Sequence, residues 1–165
     1  MNPFHLAVAR RVNQTAVLVF DGPRIFDIDR VKRTDVETLG RYIRRLRGFY
    51  GADTIIAETG SEARLGLDAS DFVSIPFNTA LTTIIGSAER GDAQRLDRYL
   101  LDRYPELSRF VSVSRRTGRP LADNPAGTAV LRAAALGLAH ALLSPPNLNR
   151  YDDSETNDDG PFESP

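Results

Sequence analysis

HLAVARRVNQTAVLVF (residues 5–20) holds two strands and the turn between them, and every other element can be placed from it. Across residues 4–9, Phe4, Leu6 and Val8 alternate with their neighbours, the period of a half-buried strand. A polar segment, Arg10–Gln14, reads as a turn and sets Arg10 and Arg11 just after the first strand. The run Ala16–Phe20 is apolar throughout, as expected of a strand covered on both faces. Asp21-Gly22-Pro23 is a second turn signal. Phe26 and Ile28 then alternate with Asp27 and Asp29 in a third strand, about 25–31. Links this short predict an antiparallel meander.

Beyond the meander the period changes. Thr34 with Glu37 three residues on has the form of a capping box, and it opens a helix. The buried stripe of that helix is expected at Val36, Leu39, Ile43, Leu46 and Tyr50, with Gly51 as its stop. TIIAE (54–58) reads as a fourth strand, parallel to the first by the crossover rule, and FVSIP (72–76) as a fifth. Residues 61–69 are helical or irregular. Asn78 is the expected N-cap of a short helix ending at Gly86. A helix over about 92–104 should bury Ala93, Leu96, Leu100 and Tyr104, and FVSVS (110–114) suggests a small extra strand. The last helix runs from about Ala126 to Leu143 and packs beside the first strand, with Pro145-Pro146 ending it.

Composition narrows the function classes. The 165 residues, 41% hydrophobic and 26% charged, suit one globular domain over 1–146. The absence of cysteine excludes disulfides and thiolate metal sites. The opening MNPFHLAVARRVNQ is too briefly apolar for a signal peptide, and no apolar run approaches the ~20 residues of a membrane span. The expectation is a cytoplasmic protein with no membrane partner. The net charge of −1 conceals an asymmetry. Residues 151–165 hold six acidic and no basic residues, which leaves 16 acidic against 21 basic residues, a net of +5, over 1–150. Residues 147–165 are expected to form a disordered acidic tail, either solubilising or a mimic of nucleic acid that folds over a basic face. Of the basic residues only Lys32 is lysine. Arginine binds phosphate oxygens two at a time, although genomic base composition also inflates arginine.

Three strands, a helix, a strand, a helix, a strand and closing helices is the element order of the RNase H-like fold, α/β with a five-stranded mixed sheet. Within it, residues 4–143 resemble the RuvC-type Holliday-junction resolvases. HLAVARRVNQTAVLVF has the spacing of that family's opening, with Thr15 on its threonine, and IIAE ends in Glu58 where the family's fourth strand ends in glutamate. IPFNTALTTIIGSAERGDAQRLDRYLL (75–101) follows the family's helix, linker, helix course. AVLRAAALGLAH (129–140) matches the small-residue texture of its last helix, with His140 in the histidine position.

The resemblance implies phosphodiester cleavage by two metal ions held on clustered carboxylates. Residue by residue, however, the first-strand aspartate is Ala9 and the paired aspartates of the last helix are Ala129 and Arg132, so only Glu58 is retained. One carboxylate does not hold two Mg²⁺ ions, and Arg132 sets a positive charge where a cation belongs. The expectation is no catalytic residue, no metal and no cofactor. A shifted register keeps open an Mg²⁺-dependent endonuclease built on Glu58 with Asp21, Asp27, Glu62 and Asp123. Each of these four has a plainer explanation, in a turn, a solvated strand face or a polar loop.

Two histidines, His5 and His140, exclude a multi-histidine metal site, and there is no phosphate-binding P-loop, GxGxxG or GxSxG. Basic segments remain. Arg10 and Arg11, and the loop residues Arg115, Arg116 and Arg119, are candidates for nucleic-acid contact, as are Arg41, Arg44, Arg45 and Arg47 on the first helix. An ordinary charged surface explains the helix at least as well, and Asp92 stands near a position where the family often carries lysine. Three functions follow: an inactive RuvC-like protein that binds DNA or RNA or serves an assembly, a divergent nuclease, and a protein-interaction scaffold. The resemblance further implies a homodimer.

Overall fold

A computed structural model describes residues 3–32, 34–111 and 124–144. The opening stretch forms β1 (Phe4–Arg11) and β2 (Gln14–Asp21), and β3 (Arg24–Lys32) completes an antiparallel meander. Then come α1 (Val36–Tyr50), β4 (Thr54–Glu58), the single turn α2 (Glu62–Leu65), β5 (Val73–Ile75), α3 (Phe77–Ile85), α4 (Asp92–Arg103) and α5 (Pro125–Leu143). Short 3-10 turns at Ala69–Asp71 and Pro105–Arg109 link α2 to β5 and follow α4. The sheet order is β3-β2-β1-β4-β5, with β4 parallel to β1 and β5 parallel to β4.

Strand alternation divides the core between the two faces of the sheet. Leu6, Val8, Val17 and Val19 face α1 and pack with Leu39 and Ile43. Ala7, Ala9, Ala16, Leu18 and Phe20 face α5 and pack with its alanines. Each fully buried Val, Leu, Ile or Phe side chain contributes roughly 1.5–3 kcal/mol, and each alanine less. Small residues on both sides let α5 lie close to the sheet. At Gly137 an added Cβ would fall 2.1 Å from the Phe20 ring, so the ring rests directly on the helix backbone. By length and composition α5 is apolar enough to cross a membrane, but 61% of it is buried inside the domain, where it is the core helix.

Several local expectations are corrected. Arg10 and Arg11 lie in β1, opposite Thr15 and Gln14, and the turn is displaced to Val12 and Asn13. The ladder continues for as long as partners face it, whatever the polarity of its side chains. The N-cap of α1 is Asp35, not Thr34; its carboxylate accepts from the Thr38 backbone N–H at 2.8 Å and from the Thr38 hydroxyl at 2.7 Å. Gly51 ends that helix in the left-handed conformation, φ 61°, as expected. Val36 is 39% exposed, so the stripe of α1 is narrower than its periodicity suggested. Pro76, not Asn78, precedes α3. Ala93 is exposed, and Asp92 is buried in its stead. The Asp92 carboxylate accepts from the Ser87 hydroxyl at 2.5 Å, the Glu89 N–H at 2.8 Å and Arg95 at 2.9 Å, and these bonds, Ser87 foremost, hold it below the usual carboxylate range. Of the segment 110–114, Phe110 and Val111 are turn and coil, and 112–114 fall outside the described residues.

Candidate functional site

The C-terminal ends of β1 and β4 lie side by side, and α5 crosses behind them. The parallel register runs from His5 opposite Thr54 to Val8 opposite Ala57, and one further step sets Ala9 beside Glu58. Ala9 is 5% and Ala129 1% exposed, both within the core cluster under α5. Two of the three positions where the resemblance has carboxylates are therefore buried methyl groups.

Arg132 occupies the third. Its guanidinium stands 3.6 Å from the Glu58 carboxylate and lies over the Phe77 ring at 3.5 Å from the centroid. The Arg132 side chain is only 19% exposed. Burial pulls its pKa below the ordinary arginine value, Glu58 opposes that pull, and the positive charges of Arg11 and Arg64 add to it. Cation–π contact and a carboxylate partner together offset part of the cost of desolvating the guanidinium. Hard divalent cations take several oxygen ligands. Among the described residues, one carboxylate already facing a guanidinium, with two alanines beside it, is not such a donor set for the metal pair of a resolvase.

The other arginines differ in freedom. Arg10 donates to the carbonyl of Arg64 at 2.8 Å and that of Thr34 at 3.3 Å, tying β1 to α2 and to the approach to α1. Arg11 and Arg64 are exposed. On α1, Arg44 pairs with Asp71 at 2.8 Å and Arg47 donates to the carbonyls of Ala52 and Asp53, so half of that basic face serves the fold. Arg41 and Arg45 are exposed. Arg115, Arg116, Arg119 and Asp123 lie outside the described residues, as does the acidic tail.

Of the shifted carboxylate cluster, Asp21 and Asp27 do not assemble on Glu58, and no group of three His, Asp or Glu side chains suited to a metal occurs among the described residues. Asp29 pairs with Val17, and through β1 stands three strand spacings from β4, about 14 Å away. Asp27 and Asp29 face α1, where the Tyr50 and Tyr42 hydroxyls donate to them. Asp21 pairs with Phe4, at the opposite end of β1. Glu62 opens α2, half-buried. His140 is also remote: it lies eight residues beyond Arg132, about 12 Å along α5, and packs edge-on against His5 with ring centroids 4.9 Å apart. Burial lowers the pKa of both imidazoles.

One site residue escaped the sequence. Asp97 on α4 lines a cavity with Arg132 and Phe77, and burial pushes its carboxyl up to about 6 while Arg132 draws it back. It adjoins Leu96 at the edge of the buried stripe of α4, where helical period does not separate it from solvated neighbours such as Arg98.

Known structures share this architecture. The structure of RuvC from Thermus thermophilus superimposes with a TM-score of 0.52 at 11% identity, over 84% of this chain and 93% of that one. The large terminase nuclease from the thermophilic phage G20c gives 0.51 at 13% identity, over 82% and 80%. The fold, RNase H-like, is shared with both structures. No family model and no curated protein matches the sequence.

Proposed function

We propose that this chain is a RuvC-like protein that binds nucleic acid without cutting it, through the charged end of its sheet. The observation that carries this is the contact of Arg132 with Glu58 at 3.6 Å. A guanidinium stands where a cleaving relative would hold a cation, and it comes with two exposed arginines, Arg11 and Arg64, that bear on it electrostatically. Phosphodiester oxygens are suited to such a surface, since arginine pairs with them bidentately and the attraction is sequence-independent. The RNase H-like fold of the two structural neighbours supports the same reading.

The test combines binding and cleavage. Fluorescence anisotropy with labelled single-stranded, duplex and four-way junction DNA at low salt should show binding that falls steeply as salt rises. No product should form with Mg²⁺ or Mn²⁺. Metal-dependent cleavage abolished by Glu58→Gln would overturn the non-cutting half, and failure to bind any of the three DNAs or a matching RNA would overturn the other.

A further inference from the structure

The cavity between α3, α4 and α5 encloses about 80 Å³. Phe77 supplies an aromatic wall, Leu96, Leu131 and Ala135 supply aliphatic ones, and Asp97 and Arg132 bring a carboxylate and a guanidinium into it from different helices. At about 10–15 Å³ per water, this is room for several waters, the scale of a flat heterocycle rather than a whole nucleotide.

The polar pair is set for a ligand with both donors and acceptors. Asp97 accepts no hydrogen bond from the described residues and makes no ion pair with Arg132 within 4.0 Å. Arg132 directs Nη1 at Glu58, leaving further N–H groups uncommitted among the described residues. A half-buried carboxylate without a donor is costly, and an incoming N–H group removes that cost. Phosphate is the wrong occupant, because Asp97 would repel it.

We infer that this cavity takes an unstacked nucleobase and prefers guanine, with Asp97 accepting from the base's N1–H and N2–H and Arg132 donating to O6. The inference rests on the nucleic-acid binding proposed above. Adenine and cytosine each offer the carboxylate a single amino group, and thymine offers one imide N–H, so guanine alone supplies two adjacent donors beside an acceptor. Reading the Watson–Crick edge of an extruded base while apolar or aromatic side chains hold its faces is an established mode of recognition. Arg132 belongs to both sites, so a strand whose phosphates meet Arg11 and Arg64 passes the mouth of the cavity.

Two measurements on the full chain test this. In methyl NMR, guanosine monophosphate should shift the resonances of Leu96, Leu131 and Ala135, and the monophosphates of adenosine, cytidine and uridine should not. In anisotropy, a labelled oligothymidylate carrying one central guanine should bind about tenfold tighter than the all-thymine strand, within the range of a bidentate base contact. Inosine, which lacks the N2 amine, should fall between them, and Asp97→Asn should bring the ratio close to one. Equal, salt-sensitive binding of every strand with no methyl shifts overturns the guanine pocket and leaves the proposed function standing. No binding of any strand, with guanosine monophosphate still shifting the three methyls, overturns the proposed function and keeps the pocket.

Discussion

The two ends of β1 are built from opposite chemistry. Its C-terminal end brings Arg10, Arg11 and Arg64 together with Glu58 and Arg132, and Asp97 waits in the adjoining cavity. Its N-terminal end is lined by rings: Phe4 packs on Phe26 at 4.9 Å and on Tyr50 at 6.5 Å, and His5 meets His140. One strand thus carries an aromatic, largely apolar end and an end that keeps charges partly in the protein and partly in water. Burying charge destabilises unless partners answer it, whereas aromatic packing stabilises by contact, although the His5 ring keeps a buried Nδ1 without a partner among the described residues. Function belongs at the end that tolerates the less favourable arrangement.

The sharpest way to break this contrast is to remove Arg132. Arg132→Ala should destabilise the fold by about 3 kcal/mol, since it strips packing from Phe77 and leaves Glu58 unpaired. His140→Ala at the aromatic end should lose nearer 1 kcal/mol. Urea denaturation of both variants compares them, and equal losses would erase the distinction.

Binding supplies the next contrast. The double variant Arg11→Ala/Arg64→Ala should weaken oligonucleotide affinity about tenfold and lower the slope of log K against log salt by about two. His5→Ala should alter neither quantity.

Acid should act on the two ends with opposite sign. The Asp97 carboxyl is raised to about 6, so the folded chain holds that proton more tightly than the unfolded chain. Its contribution to stability is complete below the ordinary aspartate value and is lost as pH rises through about 6. Asp97→Asn should therefore stabilise the protein at pH 7.5 by on the order of 1 kcal/mol after solvent screening, and the gain should shrink towards pH 4. His5 and His140 have lowered values, so their contribution is present above the ordinary histidine value and is lost as pH falls through their folded values. His140→Phe should reduce the acid loss by roughly 0.5 kcal/mol, the smallest of these effects. Thermal melts between pH 4 and pH 8 measure both.

How much of this was legible beforehand depended on range. The alternation of Leu6 with Val8, the apolar run 16–20 and the stripe of Leu39 and Ile43 are governed by neighbours a few residues away, and the strands, α1 and α5 follow from them. Thr34 failed as a cap because Asp35 and Thr38 answer each other one residue later, a competition between equivalent local motifs. Polarity alone points Arg10 and Arg11 to a turn, yet pairing with β2 keeps both in the strand, and the carbonyls of Arg64 and Thr34 anchor Arg10. Ala93 and Asp92 exchanged roles because Ser87 and Glu89 in the preceding loop satisfy the carboxylate.

The meander, the crossover to β4 and the helix order follow from local period, because each depends on residues a few positions apart. Only the tertiary structure decided what Arg132 does: that it meets Glu58, covers Phe77 and shares a cavity with Asp97. Those partners stand 74, 55 and 35 positions away in the chain. No periodicity reaches that far, and charge pairing across such separations is set by packing alone.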